Sequence, residues 1–160
     1  MKVLYHLTVL PPQMPGAEAL AQEISVLRRS WPGELVYLNP NLHSPIHIPR
    51  LLFGFHRLRE LRRLERDVDI HHLYNPDPFP FSILRWLQKP VVYTISSGVN
   101  RLQKPKRSFV SSINAGVVAD DRSFKLLQDW GLSNVFLVRS GVERVEEATV
   151  RDEGRIQRAG

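Results

Sequence analysis

The chain has 160 residues, no cysteine, 42% hydrophobic and 24% charged residues, and a formal net charge of +6. These totals describe an ordinary globular domain. They exclude a disulfide-stapled secreted scaffold and a cysteine-ligated zinc site, and no apolar run approaches the ~20 residues of a membrane-spanning helix. They favour a cytoplasmic protein with an anionic partner, and much of the positive excess lies in Arg50 to Arg66 and Arg101 to Arg107.

In chain order, Val3, Leu4, Tyr5 and Leu7 predict a first strand. It ends in a loop with Pro11, Pro12, Pro15 and Gly16. Leu20, Ala21, Ile24 and Leu27 then recur at helical spacing, with Glu18, Gln22, Ser25 and Arg29 on the other side. A strand feeding a helix through a glycine-bearing loop aims free N–H groups and the positive helix end at the strand's carboxyl end, a natural place for phosphate or sugar hydroxyls. The three-glycine dinucleotide fingerprint and the Gly-Lys-Ser/Thr phosphate loop are both absent.

Glu34 to Leu38 reads as a second strand and Asn39 to Pro49, with His43 and His47, as the loop at its carboxyl end. Arg50 to Arg66 reads as one amphipathic helix. Its apolar stripe is Leu51, Phe55, Leu58, Leu61 and Leu64, bordered by Arg57, Arg59, Arg62, Arg63 and Arg66. Val68 to Leu73 predicts a third strand, Tyr74 to Pro80 a loop, Phe81 to Leu87 a short helix and Val91 to Ile95 a fourth, doubly covered strand. Val99 to Ser108 reads as a loop or ragged helix and Ile113 to Val118 as a fifth strand. A helix follows, capped by Asp120 or Asp121 and stopped by Gly131, and then a sixth strand over Val135 to Val138. Residues 144–160 read as a polar tail or the start of a linker.

Strands alternating with helices imply a parallel sheet with ligands outside the strands' carboxyl ends. The loops there carry His43, His47, Asn75, Asp77, Ser96, Ser97, Asn100 and Glu143. A histidine within the first strand, His6, reads as a satisfied core residue. The neighbours His71 and His72 point to opposite faces of a strand, so they do not ligate one metal together, and no metal site is expected. The arginine segment reads as a solvated face first, and as an anionic-membrane surface with Phe53 and Phe55 at the interface second. No aromatic platform or reading helix points to nucleic acid.

The order of these segments resembles the N-terminal domain of GT-B glycosyltransferases of the large retaining group, family four. The similarity covers Met1 to about Glu143. Pro15-Gly16-Ala17-Glu18 stands where that family has its glycine-glycine-x-glutamate loop, with Pro15 replacing the first glycine. Asp67 to His71 is similar to its aspartate-valine-histidine strand, Lys89 to Ile95 to its lysine-proline-valine-valine strand, and Ala115 to Asp120 to its alanine-aspartate segment. Val135 to Glu143, with Ser140 and Gly141, is similar to its interdomain hinge. The histidine that many members carry after the fourth strand is replaced by Ser96 and Ser97.

The resemblance implies an α/β fold, a Rossmann-like parallel sheet with helices on both faces, forming one half of a GT-B fold over residues 1–143. It implies a glycosyltransferase that moves a sugar from a nucleotide-sugar donor to a lipid-linked or saccharide acceptor, without a metal or tightly bound cofactor. Gly16 and Glu18 would lie near the donor phosphates, and Ser96, Ser97, Asn75 and Asp77 near the acceptor or transferred sugar. A donor-binding C-terminal domain would complete the enzyme. The basic segment suits a protein peripheral at a membrane. A sugar-nucleotide epimerase half-domain and a non-enzymatic polyanion-binding module are the alternatives.

Overall fold

Val3, Tyr5 and Leu7 alternate with Leu4 and His6, and all five are buried, which requires cover on both faces of the strand they form. That strand, β1 (Val3–Leu7), lies within a six-stranded, all-parallel sheet in the computed structural model. The structure describes residues 1–8, 17–40, 47–99 and 107–139, with the backbone alone for 17–19. The other strands are β2 (Leu35–Tyr37), β3 (Ile70–Asn75), β4 (Val91–Ile95), β5 (Ala115–Val118) and β6 (Val135–Leu137), in the order β2-β1-β3-β4-β5-β6. Tyr5 sits opposite Leu35 on one side and His72 on the other, and His71 opposite Val91.

One face of β1 meets α1 (Ala17–Ser30). Ile24 is fully buried and Leu20 and Leu27 pack beside it on Val3, Tyr5, Leu7 and Tyr74. Arg28 and Arg29 in its last turn complement the negative end of the helix dipole. The other face of the sheet is covered by α2 (Leu58–Leu64), the short α3 (Arg107–Val110) and α4 (Asp121–Asp129). Leu61, Phe109 and Leu127 from these helices join Leu4, Leu73, Tyr93 and Val118 in one core. The chain therefore has a Rossmann-like α/β arrangement with helices on both faces.

The helix boundaries at α4 follow the expected chemistry. The Asp120 carboxylate accepts the Ser123 N–H at 2.8 Å, and Gly131 beyond the helix has φ +90°. Elsewhere the segments differ from the sequence reading. Arg50 to Arg66 is not one helix. It runs as 3-10 helices at Arg50–Leu52 and Phe55–Arg57, then α2, then a 3-10 turn at Glu65–Asp67. Gly54 breaks it with φ +87°, at a place where a Cβ would come 3.1 to 3.2 Å from Ile83 and Leu38. Burial of Phe53 in the core fixes that break. The stretch Phe81 to Leu87 is likewise a 3-10 helix, Ser82–Trp86. β3 starts at Ile70 and continues through Asn75, because the ladder with β4 extends to the pair Asn75 and Ile95.

Among the described glycines Gly33 has the tightest approach: a Cβ there would lie 1.6 Å from the Val3 carbonyl oxygen. Gly33→Ala should destabilise the fold by about 3 kcal/mol or more. Gly131→Ala meets no atom within 4 Å and carries only the left-handed backbone penalty, about 1–2 kcal/mol. Urea denaturation of the two variants side by side measures the difference.

Candidate functional site

The direction of chain travel reverses at β1. From β1 the chain crosses to β2 on one side, and it returns to β3 on the other. In open parallel sheets the crevice at such a reversal, outside the strand carboxyl ends, is where ligands bind. Here the crevice lies between the ends of β1 and β3, and the residues closing those ends are Thr8 and Asn75.

Thr8 and Asn75 are both buried, and the Thr8 hydroxyl donates to the Asn75 side-chain oxygen. The Asn75 amide nitrogen donates to the Asp77 carbonyl and, at 2.9 Å, to the Asp77 carboxylate. The same carboxylate receives Arg50 in a two-pronged pair, at 2.9 and 3.1 Å. The Arg50 guanidinium lies over the Phe79 ring, 4.2 Å from its centroid. From beneath, the Tyr93 hydroxyl donates to the Asp77 carbonyl at 2.9 Å and accepts the Phe79 N–H at 3.2 Å. Burial, with the nearby Asp77 charge, pushes the Tyr93 hydroxyl well above its usual range, so it stays protonated and keeps donating.

Ser96 and Ser97 border the same crevice from β4. Their N–H groups bond to the Asn75 and Pro76 carbonyls at 3.0 and 3.3 Å, and their side chains are exposed. Gly98 then turns with φ +79° against Asp120 and Ser123, and the Val99 N–H reaches the Ser123 hydroxyl at 2.8 Å. Asn75, Asp77, Ser96 and Ser97 are thus brought together. Gly16, Ser140 and Gly141 lie outside the described residues, as do His43, Asn100 and Glu143, and the side chain of Glu18 does too. His47 is exposed. Thr8, Arg50 and Tyr93 are the members the residue-by-residue reading did not single out. The order reversal between the first and third strands would have pointed to Thr8, whereas the pairing of Arg50 with Asp77 spans 27 residues and leaves no local signal.

Of the five arginines at Arg57, Arg59, Arg62, Arg63 and Arg66, two are engaged within the fold. Arg57 pairs with Glu60 at 2.6 Å and Arg62 with Glu65 at 3.2 Å. Phe53, expected at an interface, is buried and stacks on Phe81. Among the described residues no group of three or more His, Asp or Glu side chains could hold a metal ion. Cavities of about 340 and 320 Å³ open near the strands' amino ends, and neither is lined by the crevice residues.

Below the crevice, a buried chain of titratable groups crosses the core. Glu65 is 3% exposed and its carboxylate accepts from His71 Nε2 at 2.8 Å, from the backbone N–H groups of Gln88 and Lys89, and from Arg62. His71 Nδ1 lies 2.9 Å from His6 Nε2. Burial alone would push the Glu65 carboxyl up, but the donors from His71, Gln88 and Lys89 outweigh it and hold it below its ordinary value. Burial pushes His71 and His6 down, against the pull of Glu65 on His71, so both rings are neutral. The protons are then assigned: His71 Nε2 donates to Glu65, His6 Nε2 donates to His71 Nδ1, and His6 Nδ1 is left as a bare acceptor. It is the buried side-chain nitrogen without a partner among the described residues. On the opposite sheet face, burial lowers His72 to about 4, and its Nε2 lies 2.8 Å from the Thr94 hydroxyl.

No family model matches the sequence, and neither a curated protein nor a solved structure matches it. What the fold and the crevice define is a Rossmann-like α/β domain with a prearranged polar cluster at its reversal point. At its surface the cluster offers the Ser96 and Ser97 hydroxyls, a carboxylate and a guanidinium beside an aromatic face, with Thr8 and Asn75 buried beneath.

Because His6, His71 and His72 are held below 6.5 in the folded chain, the unfolded chain binds more protons between that value and the lower folded ones. Stability should therefore fall as pH drops from 6.5 towards about 4, by up to about 1.4 kcal/mol per pH unit for each histidine involved. Urea unfolding across that range tests this, and Glu65→Ala should remove about 3 kcal/mol or more at neutral pH. The half-exposed Arg50–Asp77 pair should show a coupling of only about 1 kcal/mol in a double-mutant cycle.

Proposed function

We propose that residues 1–143 are the acceptor-binding half of a retaining glycosyltransferase that draws on a nucleotide-sugar donor. The observation that carries this reading is the polar cluster of Thr8, Asn75 and Asp77 at the carboxyl ends of β1 and β3, with Ser96 and Ser97 beside it. The segment order resembling GT-B N-terminal domains supports it. A sugar's hydroxyls need donors and acceptors fixed in advance, and this cluster is fixed by its own hydrogen bonds before any ligand arrives.

In this reading the exposed Ser96 and Ser97 hydroxyls contact the acceptor or the transferred sugar. Asp77, with both oxygens engaged by Arg50 and Asn75, orients rather than abstracts a proton. Arg50 and Phe79 form the outer wall. The leaving diphosphate is stabilised by backbone amides around Gly16 and Glu18 and by basic groups of a second domain, as the resemblance implies.

Amide-shift mapping of the labelled chain with alkyl glycosides tests the site. Saturable shifts should centre on Thr8, Asn75, Ser96 and Ser97, and Asn75→Ala should weaken binding about tenfold through the lost hydrogen bonds. Shifts centred elsewhere would sink the assignment. Sugar transfer from UDP-glucose or GDP-mannose by the 160-residue chain alone would overturn the half-enzyme reading.

A further inference from the structure

We propose that the apolar surface of Leu51, Leu52 and Trp86, fringed by Arg59, Arg63 and Arg85, docks this protein on an anionic lipid bilayer. The inference stands on surface chemistry alone and does not depend on the glycosyltransferase reading.

The 3-10 helices Arg50–Leu52 and Ser82–Trp86 pack against each other, and the Phe55 ring sets its edge to Trp86 with centroids 6.2 Å apart. The apolar side chains on the outside of these segments therefore form one patch. Their inward neighbours Phe53, Phe81, Ile83 and Leu84 are buried, while Leu51 and Leu52 are each 49% exposed and Trp86 is 53% exposed. Core formation accounts for the first group and leaves about half of each side chain in the second open to solvent.

Charge selects the occupant. Glu60 and Glu65, the two glutamates of the segment, are taken up by Arg57 and Arg62, and Arg50 is held by Asp77. Arg59 and Arg63, one helical turn apart, are exposed and form no ion pair with any described residue, and Arg85 beside Trp86 is exposed as well. Arg59 lies in the first turn of α2, which directly follows the 3-10 helix carrying Phe55, the ring set against Trp86. A second copy of the chain would bring the same cations face to face across a two-fold contact. A nucleic-acid backbone would satisfy the arginines and leave the leucines in water. An anionic bilayer satisfies both: leucine and tryptophan enter the boundary between headgroups and acyl chains, and guanidiniums remain with the phosphates. Since Leu51 directly follows Arg50, which fixes Asp77, docking here holds the crevice beside the lipid surface.

Cosedimentation of the 160-residue chain with vesicles of phosphatidylcholine alone, or mixed with phosphatidylglycerol, tests the proposal. The wild type should sediment with the mixed vesicles only. Leu51→Ser with Leu52→Ser should reduce the apparent affinity at least about tenfold, and Arg59→Glu with Arg63→Glu as much or more. Phe136→Ser, an exposed aromatic on β6 outside the patch, should leave it unchanged. A second readout requires no core change: lipids bearing a quencher on the upper acyl chain should quench a Trp31→Phe protein, and the effect should shrink when Trp86→Phe is added. Absence of binding to mixed vesicles would overturn the proposal. So would binding that the arginine variants abolish but the leucine and tryptophan variants leave intact, which is charge attraction without insertion. A dimer in sedimentation equilibrium that Leu51→Ser with Leu52→Ser disperses would assign the patch to a second copy instead.

Discussion

The Glu65 carboxylate is the knot on which the layers of this fold depend. Glu65 is the C-cap of α2, and its carboxylate accepts from His71 inside β3 and from two backbone N–H groups at Gln88 and Lys89, where the chain enters β4. A buried charge is tolerated only when its oxygens are saturated with donors, and four donors meet that condition here. The same condition fixes the tautomers of His71 and His6 in sequence, so one carboxylate sets proton positions through the core to a point two residues below Thr8. The helix layer, the central strands and the floor of the crevice are thereby coupled, and acid weakens them together.

The crevice is built on the same logic of pre-satisfied groups. Asn75 cannot rotate without breaking its bonds to Thr8 and Asp77. Asp77 is held from above by Arg50, and its backbone is held from below by Tyr93. Tyr93 belongs to β4 and Thr8 to the end of β1, so the loop after β3 is braced by both neighbouring strands. A loop braced in this way presents a fixed polar surface and orders little on binding, which favours recognition of a weakly interacting, heavily hydrated ligand.

The arginine-rich segment shows how the fold divides a uniform composition. Two of its six arginines neutralise the segment's glutamates, one braces the crevice, and Arg59, Arg63 and Arg66 are exposed. Gly54 turns the chain between the two 3-10 helices, with Phe53 inward and Leu51 and Leu52 half exposed.

The sequence by itself determined the alternation of strand and helix, the parallel sheet, an aspartate cap at Asp120 or Asp121 and the Gly131 stop. Each of these follows from local periodicity or from the preference of one residue for one backbone conformation. It also assigned Asn75, Asp77, Ser96 and Ser97 to one edge of the sheet, since parallel strands put their carboxyl ends on a common side. The tertiary structure decided what no local rule reaches. Arg50 finds Asp77 across 27 residues, His6 finds His71 across 65, and Thr8 meets Asn75 across 67. It also decided which face of a basic, leucine-rich segment is core. Pairings at such separations are chosen by strand order and packing, and the pattern of residues along the chain carries no trace of them until the strands are side by side.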